Sequence, residues 1–254
     1  MAKIIDLSKP IQYNANDPWF MKVKIKHKPH RKGRWLIRVL GLPFSLFPPN
    51  FIGWADDTIK KLGVHSTTHI DAPWHYSPTV NGERAKTIDE IPLDWCYGDG
   101  VVINMTQKPD LEAITVADLQ ADLAKNNITL QAGNIVLIHT GRDQFMGQKD
   151  FPNRGTGMSA AATEWLIDQG IKVMGIDQWG WDLPLRHQIA EAKKRKDKSV
   201  FWAAHLVGQR REYCHMEQLT NLAALPPNGF KVAVFPLKIV GASAAPARVV
   251  AIFD

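Results

Sequence analysis

Residues 63–75 read GVHSTTHIDAPWH and place His65, His69, Asp71 and His75 within eleven positions. Imidazoles and a carboxylate at this density suggest a divalent ion, which needs donor atoms about 2.0 to 2.2 Å away. A fully extended strand would set His65 and His69 about 13 Å apart, too far to share one ion, so the chain must bend. Pro73 disfavours helix at Ala72 and favours extended chain there. A turn followed by extended chain gathers His65, His69 and Asp71 around one centre and sends His75 across it, which gives His75 a different task. No glutamate lies inside the motif, unlike HExxH, so a general base must come from another residue. Each histidine could instead be satisfied separately, but a third of the chain's nine histidines falling in eleven residues favours a shared site.

Outward from this stretch, apolar β-branched runs bounded by Gly, Asn or Pro read as strands: KIIDLS near the start, then GDGVVINM (98–105), GNIVLIHTG (133–141), IKVMGID (171–177) and FKVAVFPLKI (230–239). TVADLQADLAKNN (115–127) and SAAATEWLIDQG (159–170) have helical spacing, with Thr115 and Ser159 as caps and Gly170 as a stop. The alternation indicates an α/β chain. Without internal repeats or low-complexity linkers, one domain is expected over 1–254. Residues 29–54 are crowded with aromatics and prolines; they cannot form one regular element and read as an arm or lid, or as a hydrophobic wrap around the core.

The 254 residues are 45% hydrophobic, enough for a sizeable core. No apolar run approaches the length of a bilayer span, and the start lacks a secretory apolar core, so a cytoplasmic protein without a membrane partner is expected. Cys96 and Cys214 imply free thiols rather than a disulfide framework. The net charge of +6 is concentrated in 21–34 and 191–198. No nucleic-acid motif accompanies these stretches, so they read as solvated surface and no nucleic-acid partner is expected.

The motif resembles H-x-G-T-H-x-D-x-P-x-H, the signature of the metal-dependent hydrolases of the cyclase family, among them the kynurenine formamidases and isatin hydrolases. Thr67 replaces the family glycine. IIDLSKPI, GNIVLIHTG, GIDQWGWD and FPLKIVGASAAPARVVAI are similar to further family segments, so the likeness spans nearly the whole chain. It implies an α/β fold with a β-barrel-like mixed sheet flanked by helices, assembled as a homodimer or homotetramer. It also implies one or two Mn²⁺ or Zn²⁺ ions. His65, His69 and Asp71 would hold the first; Asp71 with His205 and Glu217, a pair twelve residues apart, would hold a second. His75 would be the catalytic acid and base. His215 does not fit the family pattern and reads as a surface or packing residue.

The implied reaction is hydrolysis of an amide or ester carbonyl by activated water. Trp74, Phe44 and Trp179 are candidate substrate contacts for a small cyclic or aromatic molecule. A cyclic amide of the isatin type is the favoured substrate, because the 29–54 arm and the basic 186–200 insert exceed the compact formamidases. An aryl formamide or a lactone is the alternative. Outside enzymes, the alternatives are a binding protein that keeps a structural metal and an RNA-binding protein.

Overall fold

The computed structural model describes residues 3–253. Contacts divide the described residues into two compact units: residues 3–10 with 64–253, and residues 11–63. The larger unit is built on a nine-stranded mixed sheet curled into a half-barrel. In chain order the strands are β1 (Lys3–Asp6), β2 (His69–Asp71), β3 (Tyr97–Asn104), β4 (Ile135–His139), β5 (Val173–Ile176), β6 (Cys214–Glu217), β7 (Phe230–Ala233), β8 (Ala244–Pro246) and β9 (Val250–Phe253). Their spatial order is β1-β9-β7-β3-β4-β5-β6-β2-β8. The four central strands β3 to β6 run parallel, and the flanking strands pair antiparallel.

The parallel centre explains the continuous apolar runs in the sequence, since both sheet faces are covered. Along β4, Val136 and Ile138 join a core containing Leu119 and Leu123 of α3 (Val116–Lys125) and Leu166 of α4 (Ala160–Asp168). Ile135 and Leu137 face the opposite core with Val232, Met216 and Ala251. Both helices start where their caps predict: Thr115 Oγ1 accepts from the Asp118 amide, and Ser159 Oγ accepts from that of Ala162. Gly170, at φ +84°, ends the second. Strand β7 stops at Ala233, earlier than the predicted 230–239 run, and Pro236 resumes pairing only as an isolated bridge.

The smaller unit holds a two-stranded ribbon, Lys24–Lys26 with Thr58–Lys61, and helix α1 (His30–Val39). The region expected to be an irregular arm thus contains a ten-residue helix. Gly33 lies so close to Trp54 that a Cβ would sit 2.6 Å from the Trp54 carbonyl oxygen. The 21–34 stretch is split between ribbon and helix, and 191–198 is the end of α5 (Leu185–Arg195) with the turn after it. Cys96 and Cys214 are buried free thiols. No helix among the described residues is long and apolar enough to cross a membrane.

Candidate metal centre

The bend required of residues 63–75 is a turn through 64–68 leading into β2. Ala72 is extended, as Pro73 dictates, but the chain does not stay extended. Pro73 serves as the first residue of a short helix, α2 (Pro73–Tyr76), because proline lacks only an amide that a first helical turn leaves unused. That helix carries His75 back over the strand. Thr67 keeps a negative φ, so the position does not require the family glycine's freedom.

Strand periodicity builds the rest. His69 and Asp71 share one face of β2, and His215 and Glu217 share one face of β6. The antiparallel register sets Asp71 opposite His215 and His69 opposite Glu217, while Ile70 and Met216 enter the core behind. Asp71, His205, His215 and Glu217 present donor atoms within 4.8 Å of one another; His65, Asp71 and His75 form a second such group. The His69 Nε2 atom lies 3.3 Å from Asp71 Oδ1 and 3.6 Å from Glu217 Oε2. His65 Nδ1 is 2.9 Å from Asp71 Oδ1, and His75 Nε2 is 3.7 Å from Asp71 Oδ2. Asp71 is therefore common to both groups, and all six residues expected at the site converge.

His215 corrects the sequence expectation. It is fully buried, with Nε2 3.2 Å from both Asp71 Oδ2 and Glu217 Oε1. Its ring lies between those of Trp181 and Tyr76, stacked at 5.1 and 5.2 Å. The alternation in CHME, which puts His215 on the Glu217 face, was the available signal.

Partners behind the rings aim them inward. His69 Nδ1 donates to the Thr67 carbonyl at 2.7 Å, which leaves Nε2 as a lone pair facing the cluster. His205 Nδ1 donates to Asp182 Oδ2 at 2.5 Å, and Asp182 also accepts from the Ala204 and His205 amides. His215 Nδ1 meets the Tyr76 hydroxyl at 3.0 Å. Asp182 and Tyr76 were not singled out by the sequence, because their roles depend on contacts far along the chain.

Three buried atoms at the centre, His69 Nε2 and both Asp71 carboxylate oxygens, have no hydrogen bond despite their close charged neighbours. Orphaned buried donors of this kind, backed by satisfied outer nitrogens, fit a divalent ion. Burial works to raise the Asp71 carboxyl, but the imidazoles of His65, His75, His69 and His215 outweigh it and hold it well below the usual range. Burial depresses His215, yet the neighbouring carboxylates of Asp71 and Glu217 overcome this and lift it to about 9. His75 goes the other way: burial lowers it to about 4, against the pull of Asp71.

Trp74 is 39% exposed, Trp179 packs edge-on against Phe151, and Phe44 packs with Trp35 and Phe47 in the smaller unit. Trp202, which the sequence did not single out as a substrate contact, stacks on His205 at 4.5 Å and meets His75 edge-on at 5.4 Å. Trp202 has φ +58°, a strained conformation for a bulky residue, and its amide donates to buried Gln188 Oε1 at 2.6 Å.

The Cyclase family sequence model matches residues 5–183. Cyclase-like protein 1 of Arabidopsis thaliana is 22% identical over 78% of this chain and 70% of its own length. Kynurenine formamidase of Salinibacter ruber is 23% identical, over 75% of this chain and 76% of that protein. Among solved structures, an isatin hydrolase bound to the product analogue thioisatinate superposes with TM-score 0.74 at 22% identity, covering 99% of this chain and 92% of its own. Isatin hydrolase A from Ralstonia solanacearum gives 0.75 at 24%, covering 100% and 92%. With its fold shared by these structures, its His/Asp/Glu cluster formed by β2 and β6, and the family match running across most of its length, the chain belongs to the Cyclase family.

Proposed function

We propose that the protein is a metal-dependent hydrolase that opens the C–N bond of a small cyclic amide carrying an aromatic ring. The observation that carries this reading is the orphaned donor set of His69 and Asp71, enclosed by inward-aimed imidazoles and flanked by the Trp202 ring. His65, His69 and Asp71 would hold one Mn²⁺ or Zn²⁺; Asp71, His205 and Glu217, with His215 beside them, would hold a second. A bound ion supplies polarisation of the substrate carbonyl and lowers the pKa of water towards neutrality.

His75 acts on the proton. Its low pKa keeps the ring neutral at physiological pH, and Nε2 faces the Asp71 carboxylate. It accepts a proton as the C–O bond forms and returns it to nitrogen as the C–N bond breaks, leaving an arylamine and a carboxylic acid that ionises to carboxylate by releasing its proton to solvent. Its distance to Asp71 matches that of a ligand, so metal retention in a His75 variant distinguishes the two roles. Trp202 offers a flat apolar wall to an aryl ring.

The cyclic amide is favoured over an aryl formamide by the isatin hydrolase structures, whose fold matches 99% and 100% of the chain, and by the Trp202 ring beside the cluster. The exposed run Phe235, Leu237, Ile239 and Val240 supports a homodimer or homotetramer, testable by light scattering. The deciding experiment measures metal per chain on protein purified without chelator. The same sample is then assayed on isatin-like cyclic amides, N-formyl arylamines and lactones with added Mn²⁺ or Zn²⁺. Bound metal with turnover of the cyclic amides is the expected result. Turnover of formyl arylamines or lactones instead reassigns the substrate, and metal without turnover of any class favours a binding protein.

A further inference from the structure

Residues 11–63 carry ten Lys and Arg against three Asp, a net of +7, whereas the whole chain carries +6. The rest of the molecule is therefore close to neutral, at −1, and the basic excess belongs to this unit alone. The same unit displays large apolar side chains to solvent. Helix α1 is amphipathic: Arg31, Arg34 and Arg38 lie along one side, and Trp35, Leu36, Val39 and Leu40 along another, with Lys32 the one basic residue on the apolar side. Val39 is 79% and Leu40 75% exposed, and Trp19, next to exposed Phe20, is 79% exposed.

We propose that this unit docks on the surface of an anionic phospholipid bilayer, with α1 lying in the plane of the interface. A helix with a basic side, an apolar side bearing Trp and Leu, and low mean hydropathy has the chemistry of an interfacial helix. Lys and Arg stems run along apolar surface while their charges reach lipid phosphates, and Trp favours the headgroup level. Basic and aromatic groups already stand together here: Lys61 Nζ lies 5.9 Å from the Trp19 ring centre and donates to the Trp19 carbonyl. Lys22 stands similarly over Tyr13. The expectation of no membrane partner rested on the lack of a spanning run, which an interfacial helix does not need.

Two other occupants fit less well. Nucleic acid would use the charges but leaves exposed aliphatics such as Val39, Leu40, Leu46 and Ile52 without a role. A two-fold contact of this unit with its copy sets +7 against +7.

The test is flotation of the full chain with vesicles of phosphatidylcholine alone and of phosphatidylcholine with about a third phosphatidylglycerol, at low and high salt. Binding to the anionic vesicles is expected to exceed that to neutral ones by about tenfold or more, and to weaken with salt. Arg31→Glu with Lys32→Glu should cut it by about tenfold, and so should Val39→Ser with Leu40→Ser, with unchanged circular dichroism in both pairs. Equal partition into both vesicle types overturns the proposal, as does full binding by both variant pairs. Salt-sensitive retention on RNA without flotation assigns the surface to nucleic acid. Self-association abolished by Val39→Ser with Leu40→Ser, without flotation, assigns it to a second copy.

Discussion

Asp71 is the residue on which the centre turns. It belongs to both donor groups, is fully buried, and its carboxylate oxygens have no hydrogen bond. Asp71→Ala should leave the protein with almost no divalent metal after dialysis, read by elemental analysis. A variant that keeps wild-type metal content would defeat the ligand assignment. His75→Ala should retain metal while kcat falls by about 10²- to 10⁴-fold, the range for a lost general acid or base. His215 makes a third case. Its imidazole separates two buried carboxylates, so His215→Ala should destabilise the metal-free protein by about 3 to 5 kcal/mol, as expected for an uncompensated buried charge. Urea unfolding checks this, and added divalent ion should recover part of the loss if an ion takes over the compensation.

The elements hold these residues by close approach. Gly208, in the 3-10 turn His205–Gln209, packs on α2 so tightly that a Cβ would sit 2.2 Å from Tyr76 Cδ2. Gly208→Ala should therefore displace Tyr76, whose hydroxyl meets His215, at a cost of about 1 to 3 kcal/mol in stability. Metal affinity should weaken with it, and calorimetry on the folded variant reads that effect separately. Far from the site, Thr115→Ala removes the cap of α3 and should cost about 1 kcal/mol with metal affinity unchanged. Helices α3 and α4 were legible in the sequence because cap, periodicity and stop are all local. The helix Pro73–Tyr76 was not, because four residues carry too little periodicity to stand out from extended chain. Helix α1 was masked by the aromatics and prolines that follow it.

Across the whole molecule, Asp177 ties the end of β5 to that of β4, accepting from the Thr140 amide and hydroxyl and the Gly141 amide. Burial raises its carboxyl to about 6, although those donors oppose the shift. A carboxyl raised on folding stabilises the native state fully below its unfolded pKa, near 4, and that contribution is lost as pH rises through 6. The contribution is about 3 kcal/mol. Asp71 and Glu217, both lowered, act in the opposite sense and lose theirs as pH falls. Comparing urea unfolding of the wild type and Asp177→Asn from pH 4 to 7 isolates the Asp177 effect: the wild type should lose stability relative to the variant as pH rises. A constant difference across that range would show that Asp177 does not titrate there.

Legible in the residues alone were the strands of the parallel centre, whose apolar runs follow from burial on both faces, and the two capped helices. The sequence also brought out six of the centre's residues, through one dense motif and one His/Glu spacing that a family resemblance made legible. The place of His215 among them emerged from the fold, because its neighbours Asp71 and Tyr76 lie over a hundred positions away and meet it through the β2–β6 register and the turn into α2. Likewise Trp202 stands against His205 and His75, where a strained backbone held by Gln188 has no local signature. Local patterns fix which elements form; which side chains meet is set by register and close packing between distant segments.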